Sequence, residues 1–537
     1  IRRPPRSTPS NSSAASDVYK RQVLASSAIS IGREWNAHTG VLNVPTDANV
    51  PEDGLFMLSV VSAAPANVVI SRVLLYPDDH VGGADPDVIR LLREQRLPIL
   101  RWPGGNFVSG YRWRDGVGPP DLRPTVPNRA WDVLEHNLFG TDEFIAFCRE
   151  VGCEPFICVN AGDGSPAEAA AWVEYCNGSA ETPMGRLRAE NGHPEPYGVK
   201  YWEIGNELYG EWQIGWTTPG GYADRYVRFT EAMRKADPAI EILACGTWYD
   251  GEWNRLLMTA AADDMPQLAV HILEGGFVDA SVDPNELYRA FMAYPVHVGK
   301  RLREICEQLA RAGASDPRAA VTELQLFARY RRGGTEDSGS PKPSDMPSPS
   351  TISEALYDAM IIHECIRLGG RVSMVTHSAT VNHGGGLRKT KERVWANPAH
   401  HGHVMGSALA GGTPVAVRLT CPTYSTPGEA GNLPAAKDTP LLDAMAVLGA
   451  DGALRLMLVH RSADTGPIEL TVDLGGFDSS ERAEVVTIAG DSPNDRNTPD
   501  QQDRITPKTG SLAVTGREVT FSLAPFSLTR VTFPRKD

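Results

Sequence analysis

Residues Tyr201–Gln213, YWEIGNELYGEWQ, decide how the rest of the chain is read. The stretch opens on Tyr201, Trp202 and Ile204, large and β-branched residues that suit a buried strand. Gly205 ends the run, and Asn206-Glu207 follow at once. An acid at the tip of an apolar strand is either paired or faces a cleft and does chemistry. Trp202 and Trp212 flank it, and aromatic rings commonly line sugar sites. Glu203 lies four residues before Glu207 and shares its face in an extended strand. It reads as an interior acid that needs a partner.

Outward from this stretch, apolar strands alternate with helical patterns. Strands are predicted at Pro98–Arg101, Glu154–Asn160, Val199–Ile204, Ile240–Cys245, Leu268–His271, Ala319–Glu323 and Val372–His377. An eighth run, Val73–Tyr76, precedes them. Helices are predicted at Asp85–Gln95, Thr141–Val151, Pro166–Asn177, Gly221–Ala236, Glu286–Ala312 and Ser353–Leu368. Asp85 caps the first and Thr141 or Asp142 the second. Thr351 and Glu354 form a capping box on the last, and Gly369-Gly370 stop it. Largely apolar strands between helices mean a parallel sheet covered on its faces. Their number points to an α/β fold, a (β/α)8 TIM barrel over residues 73–402. No G-x-G-x-x-G or P-loop pattern opens a helix, which argues against a nucleotide fold.

From about His403 the helical patterns stop. Leu454–Arg461, Ile468–Asp473, Glu484–Ala489 and Val519–Phe533 are β-rich, so residues 403–537 read as a C-terminal antiparallel β-sandwich. Residues 23–72, with short runs at Leu55–Val61 and Val68–Ile70, read as the remnant of an N-terminal β module. Residues 1–22 carry Arg, Pro and Ser without periodicity or an apolar core. They read as translated adapter sequence or a disordered tail, with the true start of the protein and any signal peptide unobserved. Gly333–Ser350 is low in complexity and reads as a mobile loop, either a lid over the barrel mouth or a solvated insertion.

A chain of 537 residues needs two or three domains, and 41% hydrophobic with 22% charged residues is a globular composition. A formal charge of −14 disfavours nucleic acid and anionic membrane as partners. No apolar run approaches the ~20 residues of a membrane span. Eight cysteines, none in a C-x-x-C pair, imply neither a zinc framework nor a disulfide one, and lean toward a reducing, cytoplasmic setting. His400-His401-x-His403 reads as a solvated loop rather than a metal site, and His363-Glu364 lacks a zincin's second histidine. No metal or organic cofactor is expected, and homo-oligomerisation stays open.

Glu207 and Glu323, the latter in AAVTELQLF, both end apolar strands. Barrel strand tips converge on one face, and two carboxyls there are what glycosidic cleavage needs: one protonated to supply the leaving oxygen, one ionised. The alternative is a structural ion pair with Arg101 or Arg329. Ile99–Gly118 reads as a strand, a Pro-Gly-Gly turn and an aromatic loop. In it Gly104-Gly105 allow close backbone approach, and Asn106, Tyr111 and Trp113 offer hydrogen bonds and a stacking face, or else a structural turn with a buried Trp.

RWPGGNFVSGYRWRDGVGP and EIGNELYGEWQIG closely resemble the two signatures of glycoside hydrolase family 51, the α-L-arabinofuranosidases. The resemblance runs from about Leu75 to His400. It implies a retaining (β/α)8 glycosidase with acids on strands four and seven, acting on arabinose-containing oligo- or polysaccharides. It implies that Glu207 is the acid/base, Asn206 its sugar-binding neighbour and Glu323 the nucleophile. Arg101 and Asn106 match residues that hold the nucleophile and the sugar, and His271 matches the histidine ending strand six. There are departures. Thr322-Glu323-Leu324-Gln325 replaces the usual Asp-Glu-Trp-Asn, Ile272-Leu273-Glu274 replaces a sugar-contacting aromatic, and Ala379-Thr380-Val381-Asn382 stands for the last-strand Gln-Leu-Val-Asn. The alternatives are a related retaining enzyme acting on xylosides or glucans, and a non-catalytic carbohydrate-binding homologue.

Overall fold

The computed structural model describes residues 23–48, 58–62, 65, 67–249, 251–261, 265, 267–278, 282–330, 346–428 and 430–536. The tail 1–22, the run's first half at 55–57 and loop residues 333–345 lie outside them. The chain forms two compact units, Ile1–Leu75 and Tyr76–Asp537. In the first, the described residues carry no helix or strand, so the predicted β module is not found there. Val68–Ile70 and the predicted strand Val73–Tyr76 are exposed chain without a ladder. β-rich sequence forms strands only when neighbours pair its backbone and bury one face.

The second unit begins with a parallel sheet. Its strands are β1 (Ile99–Trp102), β2 (Glu154–Val159), β3 (Tyr201–Ile204), β4 (Glu241–Cys245), β5 (Gln267–Ile272), β6 (Arg318–Leu324) and β7 (Val372–Val375). They pair in chain order, and each corresponds to one of the seven strands predicted from Pro98 onward. Among the described residues no ladder joins β1 to β7. With one strand position counted before β1, the strands β3, β5 and β6 are the family's four, six and seven.

The curl of the sheet shows in its interior. Ile99, Tyr201 and Met374 meet Phe156, Leu243, Ala269 and Ala320 in one apolar cluster, one residue from each strand. Two residues further along each strand, on the same face, come Arg101, Cys158, Glu203, Cys245, His271, Thr322 and Thr376. An apolar plug therefore lies beneath a polar layer, and the change falls at the C-terminal ends of the strands.

Helix ends follow local chemistry, with corrections to the sequence reading. Asp85 caps α1 (Pro86–Glu94), its Oδ1 accepting from Asp87 N at 3.0 Å. The cap of α2 (Thr141–Val151) is Gly140, not Thr141 or Asp142. Glu143 Oε2 accepts from Gly140 N at 2.8 Å, and a Cβ at Gly140 would sit 1.8 Å from Gly116 O. The capping box on α3 (Ile352–Arg367) does not form: Thr351 Oγ1 donates to Ser348 O, while Glu354 turns inward and accepts from Leu326 N at 2.9 Å. The histidines 400, 401 and 403 are on a helix, α4 (Pro398–Gly406), not in a solvated loop. The expected boundary at 403 cuts that helix.

The C-terminal region is a six-stranded antiparallel sheet, in the order Thr413–Val415, Leu442–Leu448, Leu454–His460, Ser527–Phe533, Arg482–Ala489 and Lys508–Ala513. Ile468–Asp473 and Glu518–Leu523 form a second, two-stranded layer. Alternation divides the faces: Leu456 and Leu458 join the sandwich core, whereas Met457 and Val459 join the barrel's. Asp443 sits at this junction. It meets His363 Nδ1 at 2.5 Å and Arg367 Nη2 at 2.8 Å on α3. Burial opposes its charge, but His363, Arg367 and Arg461 hold its carboxyl well below the ordinary value.

Replacing Asp443 with Ala leaves Arg367 and Arg461 without their buried counter-charge and His363 without its hydrogen-bond partner, and should cost about 3–5 kcal/mol in urea-melt stability. Because the folded pKa is depressed, the wild type has this stability above the carboxyl's unfolded pKa. It loses it as pH falls through the folded one, so the gap between wild type and variant should narrow in acid.

Candidate active site

The glycine after β3 sets the geometry. Gly205 has φ 78°, and a Cβ there would meet Leu208 Cδ1 at 2.6 Å. The chain turns sharply, and Glu207 itself lies at φ 45°, a left-handed conformation that a non-glycine residue adopts at a cost of about 1–3 kcal/mol. The turn points Glu207 at the end of β5. Its Oε1 is 2.8 Å from His271 Nδ1, and its Oε2 accepts from Trp212 Nε1 at 2.8 Å.

Glu323 reaches the same place by a different device. Thr322 and Glu323 are adjacent and would point to opposite faces in a regular strand. The ladder between β5 and β6 slips here: Val270 pairs with Val321, but His271 pairs with Glu323. Thr322 is the extra residue of a β-bulge, and the irregularity brings Glu323 onto the interior beside it. Thr322 Oγ1 donates to Glu203 Oε1 at 3.2 Å, while Glu323 Oε1 lies 3.2 Å from Arg101 Nη1 and 3.7 Å from His271 Nε2. One carboxylate oxygen of Glu207, one ring nitrogen of His271 and one carboxylate oxygen of Glu323 lie within 4.8 Å of one another. These three are also a donor set that could hold a metal ion.

Arg101 is the hub beneath them. Its Nε donates to Glu203 Oε2 at 2.6 Å, its Nη1 to Glu323 and its Nη2 to Asn206 Oδ1 at 2.8 Å. Glu203 thus has the partner its position required. A Cβ on Gly104 would sit 2.5 Å from Arg101 Nη1. The first glycine of the Pro-Gly-Gly turn therefore makes room for this guanidinium rather than for a ligand. Asn206 is fully buried, and its Nδ2 has no hydrogen-bond partner. An orphaned buried donor beside two acids is an unfilled demand for an acceptor.

The charges are uneven. Burial favours the neutral form of Glu207, but the His271 hydrogen bond, Trp212 and Arg101 outweigh it and hold Glu207 at about 2. Burial pushes Glu323 up, with Glu207 and Glu203 repelling it against the pull of His271 and Arg101. Burial opposes a charge on His271, yet the two flanking acids raise its pKa.

Asn106 accepts from Gln213 Nε2 at 2.8 Å, at the end of the 201–213 stretch. Trp113 is not brought to the acids. It is 2% exposed, stacked on Trp172, with Nε1 bonded to Glu168 O, so the buried-Trp alternative holds. Trp202 is likewise core. Trp212 is 60% exposed and touches Glu207; its place five residues on in the same stretch was the available signal. Tyr209, with its hydroxyl 3.4 Å from Glu207 Oε1, was missed. Ala379–Asn382 lies beyond β7, so Thr376 and His377 occupy the strand tip where the resemblance placed a Gln-Leu-Val-Asn segment. Glu274, in the stretch Ile272-Leu273-Glu274 that stands where the family has an aromatic, is buried and bonded by Asn432 from the C-terminal region.

Comparison with known proteins decides the family. Residues 91–272 match the family described as Alpha-L-arabinofuranosidase 1 domain, and residues 331–527 the Alpha-L-arabinofuranosidase C-terminal domain. A probable alpha-L-arabinofuranosidase C of Aspergillus terreus is 32% identical over 440 residues, 80% of this chain and 84% of its own. The chain belongs to the family 51 α-L-arabinofuranosidases. An intracellular exo-alpha-(1->5)-L-arabinofuranosidase of Streptomyces lividans is 30% identical over 478 residues, covering 84% of this chain and 68% of its own. The α-L-arabinofuranosidase of Thermotoga maritima, solved as an arabinose complex, superposes with a TM-score of 0.72 at 29% identity, covering 84% of this chain and 90% of that one.

If Arg101 is the hub, Arg101→Ala strands Glu203 and Glu323 in the interior. Stability should fall by about 3–5 kcal/mol, measured by denaturant melts. Arg101→Lys, which keeps the charge but cannot bond three partners in one plane, should recover only part of it.

Proposed function

We propose that this family 51 enzyme removes α-L-arabinofuranosyl groups by a double displacement between Glu323 and Glu207. The observation that carries the reading is the approach of the two carboxylates within 4.8 Å at converging strand tips. Retaining glycosidases hold their carboxyls about 5–5.5 Å apart, whereas inverting ones leave room for a water at about 6.5–9.5 Å. A Glu323 oxygen bonds to the anomeric carbon as the glycosidic C–O bond breaks, and Glu207 protonates the leaving oxygen. Water then attacks the same carbon, Glu207 takes its proton, and the ester to Glu323 breaks. Arg101 orients Glu323, and the unpartnered Asn206 Nδ2 is placed to donate to a sugar hydroxyl. The substrate is an arabinose-containing oligo- or polysaccharide of plant cell walls, and a cytoplasmic setting fits the eight unbridged cysteines. Among the described residues no helix is long and apolar enough to cross a membrane.

Glu207 is the acid of the first step, yet the free site holds it ionised. In this reading His271, 2.8 Å away and with its pKa raised by the flanking acids, hands a proton to Glu207 as the leaving oxygen arrives. This sets the pH dependence. The folded pKa of His271 is raised, so kcat/KM should fall as pH rises through a value above 6.5. His271→Asn should lower kcat by about 10²–10⁴-fold and move that descending limb to lower pH. An unmoved limb would remove His271 from the proton path.

Glu323→Ala should abolish hydrolysis of nitrophenyl α-L-arabinofuranoside, and added azide should restore turnover as the inverted glycosyl azide. Glu207→Ala with azide should give the retained one. Turnover of nitrophenyl xylosides or glucosides alone, in a panel of glycosides, would defeat the arabinose assignment.

A further inference from the structure

Beyond the tip of β7 lies a second cluster that the hydrolytic steps do not use. Asp358 from α3, His377 from the segment after β7 and His403 from α4 converge on one point. His377 Nε2 and His403 Nε2 are 2.8 Å apart, and Asp358 Oδ2 is 3.8 Å from the first and 3.6 Å from the second. Asp358 is 1% exposed, and neither of its carboxylate oxygens has a hydrogen-bond partner. A buried carboxyl group whose oxygens find no donor is a costly arrangement that a bound cation would relieve. Glu354, one turn earlier on α3, is buried too, with Oε1 unpartnered.

The imidazoles are oriented for ligation. His377 Nδ1 lies 3.0 Å from Leu324 O, so it carries the hydrogen and Nε2 presents its lone pair toward Asp358 and His403. An imidazole fixed through its far nitrogen by a backbone carbonyl is the usual arrangement around a metal. Tetrahedral zinc with bonds of about 2.0–2.1 Å sets its ligand atoms about 3.3 Å apart. The three separations bracket that value, and a set of two imidazoles and a carboxylate suits zinc.

We infer that Asp358, His377 and His403 form a zinc site that ties the tip of β7 to α3 and α4. Water takes the fourth tetrahedral position, and the part of the ion is to hold the three elements together. It completes no step at the acids, but Leu324 O, bonded by His377, belongs to the residue after Glu323. The site steadies the end of β6, from which Glu323 projects, against β7, the last strand of the described sheet.

The test uses the full chain without a histidine tag, loaded with zinc and dialysed against metal-free buffer. Metal analysis should find about one zinc per chain, and cobalt-loaded protein should show the visible bands of a tetrahedral site. Zinc should raise the Tm of chelator-stripped wild type but not that of Asp358→Asn or His403→Gln, which should retain less than about a tenth of the metal. His271→Asn should keep the full stoichiometry. The assignment is overturned if wild type holds no zinc or gives no tetrahedral cobalt spectrum. It is equally overturned if His403→Gln binds as wild type does, or if the metal is lost with His271 and so belongs to the acid pair.

Discussion

One guanidinium holds the site together. Arg101 is nearly buried and donates to Glu203, Glu323 and Asn206 through three different nitrogens. Burial alone would weaken its charge, but Glu203 and Glu323 keep it firmly protonated. Three acids, Glu203, Glu207 and Glu323, then coexist within a small volume that could not otherwise tolerate them. The planar fork also fixes directions, so the residue that neutralises the acids positions one of them as well. The Pro-Gly-Gly turn after β1 follows from this, since a side chain on Gly104 would collide with the fork.

The strands make such a cluster affordable by changing character along their length. Apolar residues fill the barrel at one level, and polar ones take the next level on the same face. Two local irregularities then carry the acids into place. The left-handed turn through Gly205 and Glu207 swings one across the mouth, and the bulge at Thr322 brings the other onto the interior. Both sit at strand ends, where a distorted backbone disturbs the fewest ladder hydrogen bonds.

His271 lies between the acids and decides how protons are shared. Its Nδ1 faces Glu207 and its Nε2 faces Glu323, so the imidazole lowers one carboxyl while the other, more deeply buried, stays high. The ordering in the free site runs opposite to the order of use in a double displacement. In the proposed double displacement, His271 is the group that supplies the proton. Around this trio the walls differ from the family pattern. Glu274, in the stretch where the family has an aromatic ring, bonds to Asn432, so the C-terminal region reaches the chain just beyond β5 as well as packing on the barrel.

The sequence by itself determined the seven parallel strands, six of the helices between and before them but not Glu252–Ala261, the antiparallel C-terminal region and the two acids at strand tips. Apolar runs of strand length, helix caps and two long signatures are local signals, and neighbours in sequence suffice to read them. Only the tertiary structure decided that Trp113 is core, that Arg101 serves Glu203 and Glu323 together, and that Thr322 is bulged out of register. It also decided that histidines 400–403 lie on a buried helix, and that the β-rich residues after 23 form no strand where they are described. Each of these depends on groups far apart in the chain. A side chain's burial, its partner and its protonation are set by what the fold brings against it, which no local pattern records.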